Sequence, residues 1–239
     1  MVSSAARQAE YYVAHRSELL SEFGRGSGRW MPFLAGLVGN SLASALVRQS
    51  RAAYEALIPQ IPYIGGEGNR LTGSLIESVR CLALYQAMKA HGRTAQETGK
   101  ILYDAILARM GEPQAPIPPA KLLTREQMME GRKKRAEQSQ ERRYPDDYVY
   151  RFVAGDGQEF DYGYEFSECA TLKFYRAQGA AEFTPYFCFL DYPQSQVLGL
   201  GLSRTKTLAE GHDLCNHRFK AGRKSELAWP PPFLKAVAP

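Results

Sequence analysis

Long apolar runs are missing from this chain, and with them the means to cross a bilayer as a helix. Such a helix needs about 18–20 consecutive apolar residues. The longest candidate, W-M-P-F-L-A-G-L-V-G-N-S-L-A-S-A-L-V from Trp30, is interrupted by Pro32, Gly36, Gly39 and Asn40. It reads as a buried helix or turn-helix, and no membrane partner is expected. The opening M-V-S-S-A-A-R-Q-A-E-Y-Y lacks the apolar core of a secretion signal. Cysteine is scarce as well. Cys81, Cys169, Cys188 and Cys215 lie far apart and form no C-x-x-C pair. Reduced thiols in a cytoplasmic protein fit that spacing better than a disulfide framework. Also absent is a strand–helix–strand repeat, so a parallel nucleotide-binding sheet is not expected. No cofactor is expected either.

What is present is an ordinary globular composition, 44% hydrophobic and 23% charged over 239 residues. That length is ample for a real core. The net charge is +5. Much of the excess sits in G-R-K-K-R-A-E-Q-S-Q-E-R-R, residues 131–143, where glutamates are interleaved and no aromatic ring is available to stack on a base. This is the pattern of a solvated helix face, and no nucleic-acid partner is expected.

The first half reads as helical. Residues 4–22 are good helix formers and stop before G-R-G-S-G. Leu71, Leu75, Val79, Leu82 and Met88 form an apolar stripe that His91–Gly92 ends. Thr94 can cap the next helix, whose apolar face is Ile101, Leu102, Ala105 and Ile106. Between them, I-P-Q-I-P-Y-I-G-G-E-G-N-R-L-T (residues 58–72) carries too many prolines and glycines for regular structure. It is a shaped connector whose backbone can approach a ligand closely. Tyr63 and Asn69 are its candidate substrate contacts.

A proline-rich linker, G-E-P-Q-A-P-I-P-P-A (residues 111–120), leads into a charged helix over 124–143. The period then changes to two. D-Y-V-Y-R-F-V-A reads as a strand, Asp156–Gly157 as a hairpin turn, and Q-E-F-D-Y-G-Y-E-F as the return. Ser167 can cap a helix through S-E-C-A-T-L-K-F-Y-R-A-Q, which Gly179 ends. T-P-Y-F-C-F-L-D and Q-V-L-G-L-G-L-S read as two more strands, and residues 217–220 as a fifth. The expected class is α+β: a helical N-terminal half packed with a C-terminal antiparallel sheet carrying one or more helices. The regions are 1–110, 111–143 and 144–239, in one compact unit.

The reactive residues gather in the second half. Glu168 and Cys169 open a predicted helix, where exposed N–H groups and the dipole favour a thiolate. Cys169 is thus a candidate nucleophile, or else a buried structural cysteine. Cys188 reads as core. Asp191 is either an active-site carboxylate or a turn residue before Tyr192–Pro193. His212, Cys215 and His217 spell H-x-x-C-x-H, good zinc ligand types at a spacing that matches no common site, and no metal is assigned. Used differently, Cys215 is a nucleophile, His212 its base, and Asp213 or Glu210 the group that orients the imidazole. Arg204 and Lys206, in S-R-T-K-T, can hold a substrate carboxylate, Arg204 through a two-point contact. Surface ion pairing is the plainer account of both.

Two stretches, S-E-C-A-T-L-K-F-Y-R-A-Q-G-A-A-E-F-T-P-Y-F-C-F-L-D and L-S-R-T-K-T-L-A-E-G-H-D-L-C-N-H-R-F-K, resemble the L-2-amino-thiazoline-4-carboxylic acid hydrolase family. Tyr11–Tyr12 and P-Y-I-G-G-x-x-N, residues 62–69, extend the resemblance over nearly the whole chain. It implies hydrolytic opening of a thiazoline ring, whose amidine-like C2 is bonded to sulfur and two nitrogens. Such a site needs an activated nucleophile, a proton donor or acceptor, and a cation for the substrate carboxylate. Cys169 or Cys215 can attack. Glu168, Asp191, Asp213 or His212 can move protons, and Arg204 or Lys173 can hold the carboxylate. Where this chain has His212 and Asn216–His217, family members carry glycine and Asp-Phe, so both histidines are local to this chain. Two rival readings stand beside this one: an isomerase or lyase on a similar small acid, and a non-catalytic small-ligand-binding protein. Trp30 in its apolar run permits a homodimer interface.

Overall fold

A computed structural model describes residues 10–112, 124–225 and 229–231. The linker expected at 111–120 falls almost wholly outside the described residues. In chain order the helices are α1 (Arg16–Ser27), α2 (Met31–Val38), α3 (Asn40–Leu57), α4 (Thr72–Ala90), α5 (Ala95–Leu107) and α6 (Arg125–Ser139). Strands β1 (Val149–Ala154) and β2 (Tyr162–Glu168) follow, then α7 (Ala170–Ala177), α8 (Thr184–Phe189), α9 (Asp191–Val197), β3 (Leu200–Ser203) and β4 (Cys215–Ala221). The class is α+β, with the helices concentrated in the first half and an antiparallel sheet in the second. Among the described residues no helix is long and apolar enough to cross a membrane.

The chain divides into two compact units. The first holds Met1–Ala105, Ala170–Leu190 and Ala228–Pro239. Its centre is α4, buried almost all round through Leu75, Val79, Leu82, Leu84, Tyr85 and Met88. A helix apolar on every side must lie inside a core. Helix α3 supplies Leu46, Tyr54 and Leu57 against it. Helix α7 packs on α4 and is pinned where Tyr175 Oη donates to the Ser78 carbonyl at 2.7 Å. The connector at 58–72 is a shaped loop with two short 3₁₀ turns, Ile58–Gln60 at a proline and Gly66–Gly68 at glycines, and it is a packed element. Ile61 and Ile64 are fully buried, and the Tyr12 hydroxyl donates to the Pro62 carbonyl at 3.2 Å. Gly66 has φ 56°, and a Cβ there would stand 2.8 Å from the Tyr11 ring, so both backbone and space demand glycine.

The second unit holds Ile106–Cys169 and Asp191–Leu227. Its sheet runs β1-β2-β4-β3, all antiparallel. Register sorts the side chains onto two faces. Tyr150, Phe166 and Cys215 stand in one row, Phe152, Tyr164 and His217 in the next, and Tyr162, Phe219 and Leu202 in a third. That face is aromatic. Helix α6 packs on β1, and Arg132 lays its guanidinium 4.1 Å from the Tyr162 ring centroid while donating to Tyr164 Oη at 2.8 Å. The opposite face carries Arg151, Glu165 and Arg218 as an ion-pair ladder.

Three expectations need correction. T-P-Y-F-C-F-L-D is no strand: residues 184–189 form α8 in the helical unit, and Asp191 opens α9. Pro185 in the first turn of α8 suits a helix start, and a short apolar run satisfies either period. Among the described residues the sheet therefore has four strands, not five. G-R-G-S-G does not stop the first helix, since α1 runs through Gly24 and Gly26 to Ser27. Ser167 caps nothing: it lies in β2 and its hydroxyl donates to the Val149 carbonyl at 3.3 Å.

Candidate active site

The sheet unit brings three charged or titratable side chains together from three separate elements. Asp191 is the first residue of α9, Arg204 follows β3, and His217 is the third residue of β4. One guanidinium nitrogen, Arg204 Nη1, lies 2.8 Å from Asp191 Oδ2 and 3.0 Å from His217 Nε2. Oδ2 and Nε2 are 3.4 Å apart. A guanidinium has no lone pair and stays protonated, so Nε2 must be the acceptor. The two hydrogens of Nη1 then go one to the carboxylate and one to the imidazole. His217 is a neutral ring with its proton on Nδ1, and Nδ1 is buried with no partner among the described residues.

Exposure divides the three. Arg204 keeps 5% of its side-chain surface and His217 11%, whereas Asp191 keeps 46%. Burial pushes the Asp191 carboxyl up, but the Arg204 guanidinium, charged and hydrogen-bonded to it, opposes this, and its pKa lies below the ordinary 3.8. Burial pushes His217 down, Asp191 opposes the shift, and Arg204 adds to it, so the ring titrates below the ordinary 6.5. Tyr192 completes the brace. Its hydroxyl donates to the Arg204 carbonyl at 3.1 Å, and the guanidinium sits 5.3 Å from its ring centroid.

Cys215 lies two residues before His217 on the same face of β4. It is 7% exposed, and its sulfur accepts the Leu208 N–H at 3.1 Å. Burial raises its thiol pKa, while the Leu208 N–H and the Arg204 charge pull the other way. The loop between β3 and β4 is wound by its own side chains. Thr207 accepts the Glu210 N–H, Gly211 turns left-handed at φ 86°, and Asn216 Oδ1 accepts the N–H groups of Thr205 and Lys206 at 3.0 and 2.7 Å. His212 and Asp213 are exposed on this loop, Asp213 3.4 Å from Lys206 Nζ. Among the described residues no group of three or more His, Cys, Asp and Glu side chains is placed to hold a metal ion. His212, Cys215 and His217 thus form no such group.

The other candidates lie elsewhere. Glu168 ends β2 and is paired with Arg142, and Cys169 is the half-buried residue just before α7. Lys173 on α7 and Tyr63 and Asn69 in the connector belong to the helical unit. Asn69 braces that connector, donating to the Ile64 carbonyl at 2.7 Å and accepting the Leu71 N–H at 2.9 Å. Tyr63 packs edge-on against Tyr11. Sequence reasoning missed Tyr192, which reads as a turn residue beside Pro193. For His217 the H-x-x-C-x-H pattern suggests only a metal ligand.

The family model described as L-2-amino-thiazoline-4-carboxylic acid hydrolase matches residues 73–219, well over half of the chain. That span includes Asp191, Tyr192, Arg204, Cys215 and His217. No curated protein and no solved structure matches the chain. On the strength of the family match, this chain belongs to the L-2-amino-thiazoline-4-carboxylic acid hydrolase family.

Proposed function

We propose that this protein is a cytoplasmic, cofactor-independent hydrolase that opens a small carboxylate-bearing heterocycle, 2-amino-thiazoline-4-carboxylate or a related cyclic amidine or amide. The observation that carries this reading is Asp191: an ionised carboxylate on a side chain 46% exposed, braced by a buried guanidinium that a neutral imidazole holds from the other side, within the family-matched span. A carboxylate held in that way is pre-organised to meet a reacting N–H or water proton without rearranging at the moment of reaction.

For the thiazoline the bonds balance simply. The oxygen of water bonds to C2, the C2–S bond breaks, and a carbamoyl C=O forms. One proton of the water ends on the ring nitrogen and the other on the released sulfur. Asp191 is the group that relays a proton. Water is the attacking species in this reading, because Cys215 is buried and its environment favours the thiol over the thiolate. Each turnover must release one free thiol. Incubating the protein with 2-amino-thiazoline-4-carboxylate and titrating new thiols tests the reading: stoichiometric release supports it, and an unchanged thiol count rejects this substrate.

A further inference from the structure

We infer that Asp191 Oδ1 is the docking point for the cationic end of the substrate, so that the ring binds as a protonated cyclic amidinium. Arg204 and His217 act here as positioning residues behind that carboxylate. The inference rests on the hydrolase reading above and deepens it.

Three observations carry it. The first is the division of labour between the carboxylate oxygens. Oδ2 receives Arg204 and faces His217, whereas no side chain among the described residues donates to Oδ1. With 46% of the side chain open, Oδ1 is the oxygen left for a ligand. The second is the state of Arg204. Both hydrogens of Nη1 are engaged, the guanidinium stacks on Tyr192, and 5% of the side chain reaches solvent. A substrate carboxylate brought to that nitrogen would lie beside the Asp191 carboxylate, and like charges at such a distance repel strongly. The negative end of the ligand is therefore directed away from Asp191, and the positive end toward it.

The third is substrate chemistry. A 2-amino-thiazoline is a cyclic isothiourea, basic enough to carry a proton near neutral pH, and its N–C–N edge presents N–H donors. An ionised carboxylate pairs well with such an edge, through charge-assisted hydrogen bonds. Neutral His217 helps by accepting from Arg204, because a protonated ring would set a second cation against the guanidinium. Binding the ring as a cation also brings the ring-nitrogen proton with the substrate and makes C2 more electrophilic; one proton of the attacking water then ends on the released sulfur and the other leaves to solvent through Asp191.

The test uses two stable rings that keep the five-membered shape and the carboxylate but replace sulfur by CH2: 5-iminoproline, a cyclic amidinium, and 5-oxoproline, a neutral lactam. Calorimetric titration at pH 7 compares their affinities. The wild-type protein should prefer 5-iminoproline by roughly ten- to a hundredfold, the scale of one charge-assisted contact. Asp191→Asn should lose most of that preference. Equal affinities, a preference for the lactam, or binding of neither ring by the wild-type protein overturns the inference, and these results need no variant to fold. Thiol release from 2-amino-thiazoline-4-carboxylate by the same preparation separates the two levels. Turnover without amidinium preference rejects the recognition claim alone. No turnover and no binding removes the hydrolase reading beneath it as well.

Discussion

Arg204 and Asp191 share one short hydrogen bond, Nη1 to Oδ2 at 2.8 Å, yet they differ in access to solvent: the Arg204 side chain keeps 5% of its surface and that of Asp191 46%. In the proposed reaction the cation is structural support and the anion is the working surface. The behaviour expected of variants at either position rests on that asymmetry.

Asp191→Asn removes the charge while keeping size and shape. Turnover should fall by about 10²–10⁴-fold, the usual contribution of a positioned proton-transfer group. The far-ultraviolet circular dichroism should stay that of the wild type. Turnover close to wild type in a folded variant would remove Asp191 from the chemistry.

Arg204→Met tests the support. It deletes the bonds to Asp191 and His217 and the stacking on Tyr192, and should cost about 1–3 kcal/mol in urea unfolding. The half-exposed Asp191 can recover water, which keeps the cost below that of a fully buried broken pair. An unchanged midpoint would mean the guanidinium braces nothing.

The pH response has its origin in His217. Its folded pKa lies below the unfolded 6.5 because burial and Arg204 oppose the imidazolium. Below pH 6.5 the unfolded chain binds a proton that the folded one refuses, so this residue removes stability as pH falls from 6.5 toward its folded value. Above 6.5 its contribution is flat. His217→Phe, a stacking ring with no titration, should lose less stability between pH 7 and pH 5 than the wild type. Equal losses would show that His217 charges freely in place. The lowered Asp191 acts in a separate window: it stabilises above the unfolded carboxyl pKa, and that gain disappears as pH falls through the folded one.

Cys215→Ala should keep turnover near the wild-type level, because water is the attacking species in this account. Loss of its buried sulfur should cost about 1–2 kcal/mol of stability. Complete inactivation with an intact fold would make Cys215 the nucleophile instead.

Gly66→Ala should destabilise the helical unit by about 1–3 kcal/mol, since φ 56° and the Tyr11 ring both oppose a side chain there. Thermal melting reads this directly. An unaltered melting temperature would mean the connector yields easily.

Local chemistry was the legible part of the sequence. The cap at Thr94 appears where expected, closed by Glu97 three positions on, and Thr124 at the head of the charged helix is capped in the same way with Gln127. The Asp156–Gly157 turn and the β1–β2 hairpin also arise from signals contained in a few residues. Residues 184–191 misled because eight apolar-rich positions fit a strand and a helix equally well, and only packing decides. Asp191 and Arg204 could be picked out by type, but not their partnership, which spans 13 residues. The surroundings of His217 lay hidden for the same reason: they depend on a strand register and on a guanidinium from the residue after another strand.

The central claim is hydrolysis of the ring, and the most direct measurement is mass spectrometry of the product formed from 2-amino-thiazoline-4-carboxylate in heavy-oxygen water. The account predicts one heavy oxygen per product, on the carbamoyl group, with one thiol released. A product without solvent oxygen would contradict it and point to an isomerase or lyase. No product at all would reject this ring as the substrate.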